Sequence, residues 1–352
     1  MIQIGLRLFG ENVNQFEKEI CEYTGAKNAV ATVSGTSAIH MGLKALGVGK
    51  GDIVFCSSFT FSASCNPILY QNATPVFIDS EPESWNMSPV ALEKAFQKYQ
   101  PKAVIVVHLY GQPAKMDEIM EICKKHQVPV LEDAAESLGA TYKGRQTGTF
   151  GTVAAYSFNG NKIITTSGGG MLVTDKEEIA KKVLFWITQS REKQRHYEHK
   201  EIGYNYRMSN IVAGIGRGQL KVLDQRIAKK KEIYDTYKVA FLDIPEIQMM
   251  PIEENSKPNF WLSVMTIAET SKIKPMDIMV ALEKENIESR PTWKPMHMQP
   301  IFKEYEFFTH QEGKSVSEDL FQRGVCLPSD TKMTKEDMSR VIKIIKGLFK
   351  DV

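Results

Sequence analysis

Lys162 is the one lysine in "SFNGNKIITTSGGG" (residues 157–170), a stretch of amides, hydroxyls and glycines with no other charge. A lone cation in such a loop has two chemical uses. It can clamp a phosphate, or its amine can act as a nucleophile. No G-x-x-x-x-G-K-[ST] surrounds Lys162 and no G-x-G-x-x-G follows the first apolar run, so neither usual nucleotide loop is present. Tyr234 and Lys238 form a Y-x-x-x-K, as in some nicotinamide enzymes. They lie in the charged, helical "RIAKKKEIYDTYKVA", where such pairs arise by chance.

Other residue types complement the lysine. In "SGTSAIH", Gly35 permits close backbone approach, and Thr36 and Ser37 add hydroxyls at the start of a helix. That helix start suits a phosphate monoester, with Ser157 converging on it, or is a simple N-cap. "VLEDAAES" ends an apolar run on Glu132 and Asp133, and a carboxylate there needs a cation or several donors. It is a helix cap or a partner for a ligand cation. No ligand cluster with metal spacing accompanies it, and His196 and His199 of "HYEH" stand unsupported, so no metal is expected. Phe61 in "SSFTFSAS" is a core residue or a plate for a flat ring. An anion cradle, an aromatic plate, an acidic strand end and an isolated lysine are together the four things that pyridoxal phosphate requires.

The elements that must position these residues are legible upstream. Between residues 28 and 133, the runs "AVATV", "DIVFC", "PVFID", "AVIVVHLYG" and "VPVLEDAA" alternate with amphipathic stretches such as "SPVALEKAFQKYQ" and "KMDEIMEICKKH". Continuous Val/Ile runs imply strands buried on both faces, hence an α/β fold with a mostly parallel sheet between helices. Ligands gather at the carboxyl ends of such strands, where Ser34 to Thr36, His108, Asp133 and Ser157 fall. Beyond residue 175 the pattern turns helical, with one long segment from Asn210 to Phe241. The last hundred or so residues, with a strand-like "NFWLSVMTI", read as a smaller α+β domain. The expected division is 1–245 and 246–352.

Composition sets outer limits. The 352 residues carry a net charge of +2, too balanced to argue for a nucleic-acid or membrane partner. The five cysteines form no C-x-x-C pair and read as core fillers in a reducing compartment. The opening residues lack the apolar core of a secretion signal, and no apolar run approaches membrane-spanning length. The expected location is the cytoplasm.

The motifs in combination carry a resemblance. "SGTSAIHMGLKALGVGKGDIV", "SFTFSASCNPILYQNATPVFID", "HLYGQPAKMDEI", "LEDAAESLGA", "YSFNGNK", "GYNYRMSN", "ESRPTWKPMHMQP" and "GVCLPSD" resemble the DegT/DnrJ/EryC1/StrS sugar aminotransferases, from about Val13 to the C-terminus. "NGNKIITTSGGGM" and "HYEH" are most similar to the subgroup that makes UDP-4-amino sugars on the route to N-acetylbacillosamine. The resemblance implies the aspartate-aminotransferase fold type I, with Lys162 as the Schiff-base lysine and Asp133 as partner of the pyridinium nitrogen. It places Glu136 near the ring's phenolic oxygen, where the family usually has Gln or His. Gly35, Thr36, Ser37 and Ser157 match phosphate ligands, and Phe61 matches the stacking aromatic. Asn205 matches an asparagine that reaches the phosphate across a homodimer interface. His108, Arg207, Arg290, Trp293 and His297 fall in segments lining the substrate site. The implied reaction moves the amino group of L-glutamate to a UDP-linked 4-keto-6-deoxy sugar, for bacterial glycan or exopolysaccharide synthesis.

Three departures stand out. Ser167 and Gly168 replace the first two residues of the family's Gly-Glu-Gly-Gly. Asp330 stands where relatives have glycine, a strained exchange if that position needs φ > 0. Relatives also begin with a segment resembling "LSPPHMSGREQHYI" that has no counterpart before "IGLRLFGENVNQFE". The alternative reading is therefore a cofactor-binding protein that does not turn over.

Overall fold

The structure, a computed structural model, describes residues 10–350. Position 10 is the first described residue, so the expectation about the front of the chain lies outside them. The five apolar runs form β1 (Asn28–Thr32), β2 (Ile53–Ser57), β3 (Thr74–Ile78), β4 (Ala103–Val107) and β5 (Val130–Asp133). A two-residue hairpin, β6 (Thr141–Tyr142) and β7 (Arg145–Gln146), precedes β8 (Val153–Ser157) and β9 (Gly170–Thr174). The C-terminal part adds β10 (Ile247–Met249), β11 (Ser256–Lys257), β12 (Ser263–Ile267), β13 (Arg290–Pro291), β14 (Phe307–Phe308) and β15 (Gly324–Leu327).

The large sheet runs β1-β9-β8-β5-β4-β2-β3-β14. Every neighbour pair is parallel except the two made by β9, so β9 alone runs against the rest. Strand side chains alternate between faces. Val54, Cys56, Ile105 and Leu131 pack with Ile39 and Leu43 of helix Gly35–Ala45 and Val183 of helix Glu177–Ile187. Phe55, Val104, Val106 and Val130 pack on the opposite face with Leu92 and Phe96 of helix Pro89–Lys98 and Ile119 of helix Met116–Lys125. Burial on both faces is why these strands read as unbroken apolar runs.

The sequence expectation differs from the structure in the helical middle and at the end. Asn210 to Phe241 is two helices, Asn210–Leu220 and Leu223–Ala240, broken at Lys221 and Val222. Helix Glu11–Thr24, unremarked in the sequence, packs Val13, Phe16 and Ile20 into the core beside Phe158 and Met171. A second, antiparallel sheet, β10-β12-β15-β13, gathers C-terminal strands. β14 instead returns to the large sheet, pairing Phe307 with Phe77 and Phe308 with Ile78. Asp330 is not among the residues with positive φ, so its exchange for glycine carries no backbone strain. Among the described residues no helix is long and apolar enough to cross a membrane.

Asp79, fully buried after β3, fastens that return. Its carboxylate accepts the Ser317 hydroxyl at 2.7 Å and the N–H groups of Val316 and Ser317, both at 3.0 Å, at the start of helix Val316–Arg323. Removing it leaves those buried donors unpaired. Asp79→Ala should destabilise the protein by about 3 kcal/mol. The check is a lowered urea midpoint at unchanged slope.

Candidate active site

The carboxyl ends of β5 and β8 and the start of helix Gly35–Ala45 enclose a chamber of about 250 Å³. Gly35, Thr36, Phe61, Asp133, Glu136, Ser157, Lys162 and Trp293 line it. The polar loop carrying Lys162 is closed by its own groups. Phe158 N–H donates to the Gly169 carbonyl at 2.9 Å, and Thr166 N–H to the Phe158 carbonyl at 2.9 Å. Ile163 and Ile164 are buried as anchors. Ser167 holds the loop's turn at φ 67°, a conformation that glycine adopts more easily. Gly170 lets the loop meet the helix start, because a Cβ there would stand 2.3 Å from the Ser34 carbonyl.

Asp133 is buried at the floor. Its Oδ2 accepts the Ser64 hydroxyl at 2.6 Å and its Oδ1 the Ala135 N–H at 3.1 Å. Ser64 is in turn 2.7 Å from the Thr60 hydroxyl. Glu136 Oε2 accepts the Tyr110 N–H at 2.7 Å, and its Oε1 lies 3.6 Å from Lys162 Nζ. Burial pushes the Glu136 carboxyl above its usual range, an effect that the Lys162 ammonium opposes. The uncharged loop therefore does not leave Lys162 without a carboxylate, since the fold supplies one from after β5. Lys162 Nζ also sits 4.0 Å from the centre of the Trp261 ring.

Not every expected residue arrives. Ser37 is not in the chamber lining: its N–H donates to Oγ of the N-cap Ser34 at 3.0 Å, and its hydroxyl lies 2.7 Å from the same oxygen. Here the N-cap reading wins. His108 is fully buried, its Nδ1 accepting the Ala114 N–H at 3.1 Å and its Nε2 lying 2.9 Å from Glu132. A ring with both nitrogens used and no exposure does not line a substrate site. Glu132 also accepts the Gly148 and Gly151 N–H groups at 2.7 and 2.6 Å, which explains its burial. Arg207 is bonded through its guanidinium to Glu17 and the Ala31 carbonyl, away from the chamber. His297 is held between Ser58 at 2.7 Å and Glu318 at 2.9 Å, its ring stacked on Phe307. Asn205 is exposed and outside this chamber.

Arg290 and Trp293 line a second cavity of about 1070 Å³, which shares Asn161 and Trp293 with the first. Phe61 is half-exposed, its ring 5.2 Å from that of Trp293. Tyr234 donates its hydroxyl to the Met250 carbonyl at 2.6 Å, so the Y-x-x-x-K serves packing. Sequence reasoning missed Ser64, Trp261 and Asn259. A fully buried asparagine and an indole within "NFWLSVMTI" were the available signal.

The chamber fits pyridoxal phosphate on its own evidence. A Cβ on Gly35 would stand 2.9 Å from the Ser157 Cβ, so the helix start approaches that hydroxyl closely. The first-turn N–H groups of Gly35 and Thr36 have no acceptor within the helix. A carboxylate, an amine and a half-exposed aromatic ring complete the lining. Fold and chamber together define a pyridoxal phosphate-dependent enzyme of fold type I. Comparison with known proteins makes the assignment specific. Residues 2–346 match the DegT/DnrJ/EryC1/StrS aminotransferase family, and the chain belongs to it. EpsN of Bacillus subtilis (strain 168), whose own assignment as a pyridoxal phosphate-dependent aminotransferase is a provisional one, is 52% identical over 97% of this chain and 89% of that protein. A GDP-perosamine synthase of Caulobacter vibrioides is 36% identical over 95% of this chain and 89% of its own. The crystal structure of a DegT DnrJ EryC1 StrS aminotransferase from Brucella abortus superposes with a TM-score of 0.89 at 28% identity, covering 98% of this chain and 92% of that one. The protein is a pyridoxal phosphate-dependent sugar aminotransferase.

The raised carboxyl of Glu136 has a thermodynamic consequence. The folded protein holds that proton more tightly than the unfolded chain, so the linked stability is full at low pH. It is lost as pH climbs from the ordinary carboxylate range through the raised value. Glu136→Gln in the cofactor-free protein should therefore gain stability relative to wild type as pH rises from acid to neutral. Paired melting curves across that range check it.

Proposed function

We propose that this enzyme moves the amino group of L-glutamate to the C4 ketone of a UDP-linked 4-keto-6-deoxy-2-acetamido sugar, as a cytoplasmic step in bacterial glycan or exopolysaccharide synthesis. The observation that carries the amino-transfer chemistry is the chamber in which Lys162, Asp133 and Glu136 converge beside a second, larger cavity. The UDP-sugar reading is supported by the likeness of "NGNKIITTSGGGM" and "HYEH" to that subgroup. The name of the Caulobacter relative supports a second reading, a GDP-linked sugar.

In the proposed assignment, Gly35, Thr36 and Ser157 hold the phosphate, Phe61 covers one face of the ring, and Asp133 keeps a proton on the ring nitrogen. When bound, pyridoxal phosphate supplies an aldehyde for amine condensation and a ring that takes up the electron pair of a broken C–H bond. Lys162 Nζ removes the proton from the α-carbon of the donor, and later returns one to C4 of the sugar. The Ser64 hydroxyl and the Ala135 N–H fix Asp133 in the orientation that its task requires. Asn205, exposed outside its own chamber, is assigned to the chamber of a second subunit. Val33, left exposed at 40%, is an apolar group that a homodimer would cover.

The test is to incubate the holoenzyme with L-glutamate and a panel of UDP-, GDP- and dTDP-linked 4-keto-6-deoxy sugars, and to weigh the products. An aminated UDP sugar is expected. Amination of only the guanosine- or thymidine-linked members would replace the UDP reading, and no amination of any would favour the non-turning-over alternative. Lys162→Ala should lower turnover at least about a thousand-fold in the same assay.

A further inference from the structure

We propose that Trp261 is the positioning residue for Lys162: its indole face holds the lysine's Nζ whenever that amine is free, and its ring N–H fixes the loop from which the lysine projects. The Nζ lies 4.0 Å from the ring centre, and Trp261 is only 2% exposed, so this cation–π contact is desolvated. The indole Nε1 donates to the Asn161 carbonyl at 2.8 Å, one residue before the lysine. One side chain therefore grips both the amine and its backbone.

The nearest carboxylate acts on the amine by charge and not by a hydrogen bond. Glu136 Oε1 is 3.6 Å from Nζ, an ion-pair distance beyond hydrogen-bond range, so it leaves the amine's direction to the indole. The other titratable groups near the pair are Asp133 and Cys326, which bear on Glu136, and Tyr110, whose N–H Glu136 accepts.

Trp261 is itself held through its main chain and its ring. Its backbone N–H donates to Asn259 Oδ1 at 2.9 Å, and the Asn259 amide donates to the carbonyls of Glu136 at 2.8 Å and Leu138 at 3.0 Å. Its carbonyl accepts Lys230 Nζ at 2.9 Å. The Tyr110 ring lies near-parallel beside it, with centroids 6.5 Å apart. Phe260, between Asn259 and Trp261, is held at φ 55°, and Tyr110 at φ 54°, conformations costly for bulky side chains. Backbone in the left-handed region thus flanks the indole both in sequence and in the ring beside it.

The test uses the cofactor-free enzyme. Lys162 is labelled with limiting acetic anhydride across a pH series, and its acetylated peptide is quantified by mass spectrometry. The midpoint reports the amine's affinity for its proton. The four tryptophans are replaced biosynthetically by mono-, di- and trifluorotryptophan, which drain the ring face and leave the shape intact. The midpoint should fall stepwise, by about one pH unit across the series. A flat series would overturn the proposal, since a purely structural indole has no reason to track ring electronics. Trp261→Leu should lower the midpoint further than Trp261→Phe, which keeps a ring face; equal midpoints in the two folded variants would also reject it. The inference rests on Lys162 being the reacting amine. A flat series rejects the role of Trp261 without touching that assignment, whereas a cofactor adduct on another lysine rejects the assignment and leaves the labelling valid.

Discussion

The Lys162 amine and the Glu136 carboxyl share one chamber with little access to water. The side chains of Lys162 and Glu136 retain 12% and 6% of their exposure. Stripping water from either costs several kcal/mol unless other groups replace it. The protein supplies those groups from separate stretches of chain: the Tyr110 N–H for the carboxylate and the Trp261 ring for the ammonium. An unliganded lysine is thereby kept in reach of the chamber, with Glu136 held as a proton-retaining neighbour. Much of the local backbone strain, at Tyr110, Ser167 and Phe260, lies in the segments that deliver these groups.

The sheet makes that convergence possible by register. Asp133 pairs with Ala155, Ser157 with Gly170, and Gly170 with Thr32, so the acidic floor, the Ser157 hydroxyl and the helix start are adjacent by strand geometry. Because β9 alone runs the other way, the strand leaves the lysine loop at the same edge on which β8 ended. The absence of a side chain at Gly170 then lets Ser34 close on the loop. Two short segments of β-structure at the end of the chain join this frame from outside it: β14 at the sheet edge and β11 against the β6–β7 hairpin.

The strands were legible because burial on both faces leaves a composition signature, Val and Ile without alternation, that needs no knowledge of partners. Gly35, Thr36, Asp133 and Ser157 could be singled out because each stands at a strand or helix end, and Lys162 because it is the one charge in its loop; the chamber brings them together with Phe61. The misread residues share a different cause. Nothing near Arg207 in sequence announces that Glu17, 190 residues away, claims its guanidinium. His108 and Glu132 satisfy one another inside the core, a pairing invisible until β4 and β5 lie side by side. Glu136 reaches Lys162 only because the loops after β5 and β8 fold over the same sheet end, so the uncharged sequence around the lysine concealed its partner.

The central claim is that Lys162 is the amine that carries the cofactor, and the protein contains a rival. Burial pushes the Lys230 amine down to about 8, so part of it is unprotonated near neutral pH. Lys230 instead donates to the Trp261 and Ser329 carbonyls behind the chamber. Borohydride reduction of the holoenzyme, followed by peptide mapping of the fixed cofactor, separates the two most directly. One cofactor per chain on the peptide containing Lys162 is the predicted result. An adduct on Lys230 or any other lysine, or none at all, would contradict the account.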